Sequence, residues 1–179
     1  MISFEDAKTI ALGELGADCA LLEESTSEKP YGWYFCFQSK KFLETKNVRD
    51  SLAGSGGFIV EKTDGRVFHF GSAYSLERNL RAYEAGFKFE LYDLIVKRVR
   101  NLEQTVSLLN KLDMTYTVPE VEHGVEWKVP KHYTQKQIKQ RLEKLPATFE
   151  KQRFYFRFEV FEEINLARCC EYEIQEHSK

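Results

Sequence analysis

The sequence has few of the residues that mark special classes of protein. Its 179 residues include four cysteines, Cys19, Cys36, Cys169 and Cys170, whose spacing forms neither a disulfide framework nor a Cys-x-x-Cys metal motif, so we expect reduced thiols. No stretch approaches the roughly 20 apolar residues of a membrane helix. The N-terminus has acids where a signal peptide would be basic and then apolar. The sequence therefore predicts a cytoplasmic protein.

An excess of charge of one sign is also missing. The 26 basic and 28 acidic residues give a net charge of −2, which provides no bulk attraction to nucleic acid or anionic lipid. The chain is instead 42% hydrophobic and 14% aromatic. A chain of this length can bury about 70% of its unfolded surface. The composition excludes a wholly disordered chain and indicates a globular protein.

The first half of the sequence begins with a helix and an aromatic strand. Ser3 and Asp6 are placed to cap a helix from about Phe4 to Leu15. After a short strand near residues 20–22, the segment 23–30 is polar and ends in proline, which predicts a loop. Aromatic residues alternate with others over residues 31–38, which predicts one central strand.

A hairpin and a second helix complete this half. Asp64-Gly65 lies between two apolar runs and predicts an antiparallel turn. The glycine-rich residues 54–57 before it predict a flexible connection. Ser75 is placed to cap a helix that ends near Gly86. Residues 1–87 therefore predict a complete antiparallel meander flanked by helices.

The second half predicts two more helices. One spans Phe89 to Leu112, because six apolar residues recur at helical spacing: Leu91, Ile95, Val99, Leu102, Val106 and Leu109. The opposite face of this helix would carry Lys97, Arg98 and Arg100. The other helix spans about 135–145, with a capping box formed by Thr134 and Gln137.

The remaining segments of this half predict strands. Residues 115–118 and 125–129 form edge strands or a loose hairpin, each closed by a proline, Pro119 or Pro130. Alternating aromatic residues over 154–160 and a matching pattern over 166–174 predict a long final hairpin. The fold class is therefore α+β, with the meander domain in residues 1–87 followed by a second helix-plus-hairpin α+β region in residues 88–179.

Several chemical motifs are weak in this sequence. Cys36 and His69 lie on predicted neighbouring strands and could form a nucleophile pair, although the pattern better fits a thiol packed as a small hydrophobe and a histidine on a sheet face. Residues 54–57 precede a strand, whereas phosphate loops open a helix. His123 could bind a metal together with the nearby acids Glu120, Glu122 and Glu126. The spacing of these four residues matches no ligand framework of a metal site. The sequence therefore predicts no enzyme, metal or cofactor.

Two surfaces remain as candidates for binding macromolecules. The segment Phe154–Phe158, beside Arg153, has the aromatics and cations of a nucleic-acid stacking platform. Six acids and one base follow between Glu159 and Glu176 and would repel phosphate. The sequence therefore favours an acidic surface for a basic protein partner, and no nucleic-acid partner.

Motifs in the first half carry a family resemblance. They occur in one order along the chain: Gly32–Gln38, Phe42–Thr45, Leu52–Val60, Asp64-Gly65, Gly71–Ala73 and Leu80-x-x-Tyr83. This order resembles the immunity protein 35 family, which includes small heat-stable proteins of the YrhB type, over residues 2–87. The family commonly has proline where this chain has Gly57. The resemblance does not extend to residues 88–179.

The resemblance implies a function by binding. Members resemble antidotes encoded beside polymorphic bacterial toxins, so the expected role is neutralisation of a toxin by occlusion of its active site. No residue roles are carried over from the family. Candidate contact residues come from the acids and aromatics of the second half: Tyr116, Glu122, Glu126, Trp127, Glu162 and Glu163. The alternative is a holdase-like chaperone, and the oligomeric state stays open.

Overall fold

The computed structural model describes residues 1–88 and 90–177, apart from the side chain of Ser55. The chain divides into two compact units, Met1–Arg81 and a second that begins at Ala82. Both combine helices with antiparallel sheets, so the predicted α+β class is confirmed. The predicted domain boundary at residues 87 and 88 stays a prediction. None of the helices in the described residues is long and apolar enough to cross a membrane.

The first unit is built on a four-stranded antiparallel sheet. Its elements, in chain order, are α1 (Phe4–Gly13), β1 (Cys19–Leu21), β2 (Ser27–Lys29), β3 (Gly32–Phe35), β4 (Phe37–Ser39), α2 (Lys40–Thr45), β5 (Ser55–Glu61), β6 (Val67–Gly71) and the start of α3 (Leu76–Glu84). The sheet order is β2-β3-β5-β6, and β1 pairs separately with β4. These pairings confirm the predicted meander.

Helix α1 packs on the sheet through small residues. The Asp6 backbone N–H donates to the Ser3 hydroxyl and the Ser3 N–H donates to the Asp6 carboxylate at 2.9 Å, which confirms the predicted cap. Ala7 and Ala11 are fully buried against Trp33 and the rest of the core. Small side chains at these positions let the helix approach the sheet closely. The helix ends at Gly13, two residues before the predicted end at Leu15.

The predicted single aromatic strand is divided in two. β3 lies between β2 and β5, whereas β4 pairs with β1 in another sheet, so the chain changes sheets at Cys36. The predicted loop over residues 23–30 is wrong at β2, which pairs with β3, and α2 was not predicted. The signal for α2 was Ser39, whose hydroxyl accepts the Phe42 N–H at 3.0 Å.

The glycine-rich segment is a strand rather than a flexible connection. β5 begins at Ser55 and shifts register before Phe58, while the Asp64-Gly65 hairpin follows as predicted. A Cβ at Gly56 would lie 2.6 Å from the Phe70 carbonyl oxygen. Gly57 has φ +70°, which the ring of proline cannot adopt. The departure from the family's proline therefore matches the local backbone.

The second unit is built on a three-stranded antiparallel sheet. After the end of α3, its elements are β7 (Tyr92–Val99), α4 (Leu102–Lys111), β8 (Thr115–Glu122), β9 (Val125–His132), α5 (Gln135–Leu142), β10 (Ala147–Gln152), α6 (Glu159–Ala167) and β11 (Cys170–Glu176). The sheet order is β10-β7-β11, and β8 pairs with β9 as a separate hairpin. The capping box of Thr134 and Gln137 begins α5 as predicted.

The predicted helix over residues 89–112 is wrong over residues 92–99, which form β7, whereas Phe89 lies outside the described residues. Tyr92, Leu94 and Val96 are buried at alternating positions of β7, and the helix begins only at Leu102, after its cap Asn101. β7 is the central strand of its sheet, with Tyr92, Leu94 and Val96 on its buried face and Ile95 half-buried on the other. Its residues therefore also satisfy a helical spacing. Consequently Lys97, Arg98 and Arg100 lie on or beside a strand.

The predicted final hairpin is also wrong. Residues Phe154 and Phe158 lead into α6, and both β10 and β11 pair with β7 instead of with each other. Phe154, Phe158 and Phe161 recur at helical spacing and are buried, with the rings of Phe154 and Phe161 at 4.9 Å. Because these rings are inside the core, they do not form a stacking platform for nucleic acid.

Candidate protein-interaction site

The β8–β9 hairpin carries three of the predicted contact residues at its exposed end. Each strand has eight residues, and a two-residue turn joins them. Its residues His123 and Gly124 have φ values of 52° and 79°, as a type I′ turn requires. The prediction that Pro119 and Pro130 close these strands is wrong, because both strands continue through them.

An aromatic contact holds the base of the hairpin. The ring of Tyr116 lies 4.8 Å from that of Tyr133, which in turn lies 5.3 Å from the buried Phe149. The Tyr116 hydroxyl accepts a hydrogen bond from Gln137 Nε2 at 2.8 Å. Tyr116 therefore holds the base of the hairpin against the rest of the second unit.

A buried amide completes the base. The side chain of Gln152 accepts the Thr115 N–H at 2.8 Å and donates to the Thr115 carbonyl at 2.7 Å. Gln152 is only 2% exposed. The Gln152 amide thus makes the two backbone hydrogen bonds that a neighbouring strand would make with Thr115. Nothing in the sequence pattern indicated this role.

The tip of the hairpin, residues 119–128, is exposed at every position. Three of its apolar side chains face solvent: Val121 is 73%, Trp127 56% and Val125 52% exposed. Apolar side chains grouped on an exposed element are typical of interaction sites. The tip is therefore the candidate surface.

The register sorts the tip residues between two faces. Trp127 is opposite Glu120 and Val125 is opposite Glu122, so these four side chains share one face, which we call the Trp127 face. Glu126 is opposite Val121 on the other face, the Val121 face, which also carries Lys128. The structure therefore brings Trp127 and Glu122 together and separates them from Glu126.

The charges of the tip are mainly acidic. Glu120 forms an ion pair with Lys131 at 2.7 Å, which raises the pKa of the Lys131 ammonium. Glu122 Oε1 lies 3.9 Å from His123 Nε2, with both side chains exposed. Within residues 1–88 and 90–177, Glu126 forms no ion pair. Glu122 and Glu126 are thus accessible for a basic partner.

The predicted acids of the last segment lie on other elements. Glu162 and Glu163 are on α6, and Glu163 pairs with Lys111 at 2.6 Å. On β11, Glu171 pairs with Arg100 at 2.6 Å and Glu173 pairs with Lys97. The hydrogen-bonded cation lowers the pKa of each carboxyl: Arg100 is the main cause for Glu171, and Lys97 for Glu173. The stretch is therefore less negative in the fold than its composition suggests.

Cys36 and His69 do not form a nucleophile pair. The Tyr34 hydroxyl lies 3.4 Å from Cys36 Sγ, whereas His69 Nε2 lies 3.1 Å from a carboxylate oxygen of Glu14. His69 also contacts the ring of Phe58, its cross-strand neighbour on the face of the sheet that packs on α1. The two side chains therefore belong to opposite faces.

The acids around His123 do not converge on a metal. Glu122 and Glu126 lie on opposite faces of the hairpin, as the register requires. Among the residues that the structure describes, no group of three or more histidine, cysteine, aspartate or glutamate side chains could hold an ion.

The adjacent cysteines of the second unit are buried. Cys169 and Cys170 lie inside the core before and at the start of β11, and all four cysteines are free. Burial raises the pKa of the Cys170 thiol to about 12. A thiol with such a pKa is a poor nucleophile at neutral pH.

These features define an α+β protein that presents exposed apolar and acidic residues on one hairpin. The family model of immunity protein 35 matches residues 13–86. The Uncharacterized protein YrhB of Escherichia coli (strain K12) is 38% identical over 85 residues, which are 47% of this chain and 90% of that protein. The chain therefore belongs to the immunity protein 35 family. No solved structure matches it.

The family match ends before the hairpin begins. Residue 86 follows α3, whereas β8 starts at Thr115. The resemblance expected from the motifs of residues 2–87 is thus confirmed for the first half, and the tip belongs to the part of the chain outside the family match.

Proposed function

We propose that this protein is an immunity protein that binds a cognate bacterial toxin in the cytoplasm and neutralises it by covering its active site. Family membership supports the immunity role. The observation that carries the mechanism is the hairpin tip, where ten consecutive residues are exposed and include Val121, Val125 and Trp127. Inhibition by occlusion needs no catalytic residue of its own.

The tip supplies both an anchor and steering charges in this proposal. Trp127 has a large exposed ring, and aromatic anchors that become buried in an interface often contribute 2 kcal/mol or more, in order of magnitude. Glu122 and Glu126 attract a basic toxin and speed association. Tyr116 supports the hairpin from its base, while Glu162 and Glu163 add to the field from α6.

The two units have different tasks in this proposal. The first unit is the platform common to the family, because the family match covers residues 13–86. The second unit, with the hairpin, adapts the platform to one toxin. This division explains why the candidate surface lies outside the family match.

The test uses the protein encoded directly upstream of this chain's gene as the toxin. We expect a one-to-one complex, protection of cells that express the toxin, and loss of the toxin's activity in the complex. In stopped-flow association, Glu122→Lys with Glu126→Lys should slow binding and reduce its salt dependence. The control is Glu143→Lys, a charge reversal of an exposed acid at the C-cap of α5.

Two results would contradict the proposal. One is a toxin that stays active in the presence of excess protein. The other is a purified protein that itself converts the toxin's substrate, since the proposal excludes catalysis.

A holdase-like chaperone is the second candidate function. The observation that favours it is the same exposed apolar tip, because holdases bind unfolded chains through exposed apolar surface. Suppression of heat aggregation of unrelated proteins at near-stoichiometric ratios would support this role. Binding to the upstream gene product alone would support the immunity role.

A further inference from the structure

The hydrogen-bond pattern of the hairpin determines which backbone groups face outward. The residues that flank a two-residue turn exchange both backbone hydrogen bonds, so Glu122 and Val125 form such a pair. Every second pair along the strands does the same. At the base, Tyr133 N–H donates to the Met114 carbonyl at 2.9 Å, which agrees with this phase.

The intervening residues therefore turn their N–H and C=O groups to the open edges. Thr115 shows this directly, because its outward N–H and C=O bind the amide of Gln152. The same phase holds for all alternate positions: Thr117, Pro119 and Val121 on β8, and Glu126, Lys128, Pro130 and His132 on β9.

Both prolines occupy outward positions. Pro119 separates the outward N–H groups of Thr117 and Val121 on one edge, and Pro130 follows Lys128 on the other. Proline has no N–H to donate to an added strand. Within the hairpin, neither edge offers three consecutive outward donors. A partner strand that paired with either edge would therefore lose bonds in its middle.

The two faces differ in charge as well. On the Trp127 face, Glu120 is paired with Lys131, whereas Glu122 lies beside Trp127 and Val125 with the exposed His123 ring 3.9 Å from its carboxylate. The Val121 face carries Glu126 and Lys128, whose formal charges sum to zero. The Trp127 face is thus both the more apolar and the more acidic side of the tip.

We propose that the hairpin docks through its Trp127 face, and not by strand addition, into an apolar pocket with a basic rim on the toxin. The inference rests on the proposed function and names the partner surface that it requires. The two prolines keep the edges of the hairpin from pairing with other strands, including those of a second copy of this chain.

The test follows Trp127 directly in the protein with its natural sequence. The chain has two tryptophans, Trp127 at 56% and Trp33 at 7% exposure. Labelling with 5-fluorotryptophan gives two fluorine resonances, and Trp127→Phe assigns them. On addition of the upstream gene product, we expect the Trp127 resonance to shift and to lose its sensitivity to a soluble gadolinium chelate. The Trp33 resonance should stay insensitive.

Paired variants separate the two faces. Trp127→Ala should weaken binding by about 30-fold, the factor that corresponds to 2 kcal/mol. Val121→Ala, on the other face, should change the affinity less than threefold. Equal losses for the two variants, or a Trp127 ring that stays accessible to the chelate in the complex, would overturn the docking mode.

A restored edge gives an independent readout. Pro130→Val, outside the tip, should leave toxin affinity unchanged and increase self-association in sedimentation velocity. Stronger toxin binding by this variant would overturn the docking mode in favour of strand addition. A wild-type self-complex that protects Trp127 would also overturn it.

Failure of the proposed function is distinguishable from failure of the docking mode. If the upstream protein does not form a complex, its sedimentation and the fluorine spectrum stay unchanged, and both proposals fall. If a complex forms while Trp127 stays accessible, only the docking mode falls.

Discussion

The base and the tip of the β8–β9 hairpin differ in how their side chains are used. At the base, the Tyr116 hydroxyl accepts a hydrogen bond from Gln137, and the Thr115 N–H donates one to Gln152. At the tip, Trp127 and Val125 face solvent, and Glu126 has no ion pair in the described chain. The difference suggests that changes at the base affect folding, whereas changes at the tip affect binding.

The largest effect on stability is expected at Gln152. Gln152→Leu leaves the N–H and C=O of Thr115 without their partners in a partly buried position. We expect the free energy of unfolding to fall by about 2–3 kcal/mol. Urea denaturation measures this loss. Gln140→Leu, at an exposed position of α5, is the control and should change little; equal stabilities would break the comparison.

A smaller loss is expected at Tyr116. Tyr116→Phe keeps the ring contact with Tyr133 and removes the hydrogen bond to Gln137. The free energy of unfolding should fall by about 1 kcal/mol, measured by thermal or urea unfolding. Toxin affinity should stay the same, because the tip is unchanged. A loss of affinity without a loss of stability would show that Tyr116 contacts the toxin itself.

Stability should be almost insensitive to changes at the tip. Trp127→Ala and Val125→Ser remove exposed side chains, so each should shift the free energy of unfolding by no more than about 0.5 kcal/mol. The same urea titrations measure this. A loss comparable to that of Gln152→Leu would mean that the tip is part of the folded core.

The smallest effect concerns the ion pair that joins tip and base. Glu120 raises the pKa of Lys131, so the pair stabilises the fold below the ordinary pKa of lysine, and this contribution is lost as the pH rises through the raised value. Glu120→Gln should therefore narrow the difference in stability between neutral and strongly alkaline solution. Unfolding midpoints of the two proteins against pH measure it. An unchanged difference would show that exposure screens the pair completely.

Local signals explain what the sequence predicted correctly. The capping residues Ser3 and Thr134 act within one helical turn, and Asp64-Gly65 specifies its turn through the backbone freedom of glycine. Such signals need no information from distant residues. They were sufficient for the meander of the first unit and for the beginning of α5.

Periodicity failed where one set of apolar residues fits two kinds of element. Residues 92–99 have apolar side chains on both faces of a central strand, fully buried on only one, and Phe154, Phe156 and Phe158 alternate although only the outer two are buried. In both segments the same residues satisfy a spacing of two and a spacing of three or four. Which spacing applies depends on the partners, and these are distant in sequence.

The candidate site could be predicted only in part. Tyr116 and Trp127 have similar sequence surroundings, yet Tyr116 contacts Tyr133 and Trp127 is exposed, because only the base of the hairpin meets another element. The contribution of Gln152 had no sequence signal, since an amide can replace a strand only when the fold brings it beside one.

The most direct test of the account is the dissociation rate of the complex with the upstream gene product. Trp127→Ala should dissociate about 30-fold faster than the wild type, since most interface losses affect dissociation. Leu166→Ala, an exposed apolar position on α6, should dissociate at the wild-type rate. If the Trp127→Ala complex dissociates as slowly as the other two, the hairpin tip is not the toxin-binding surface.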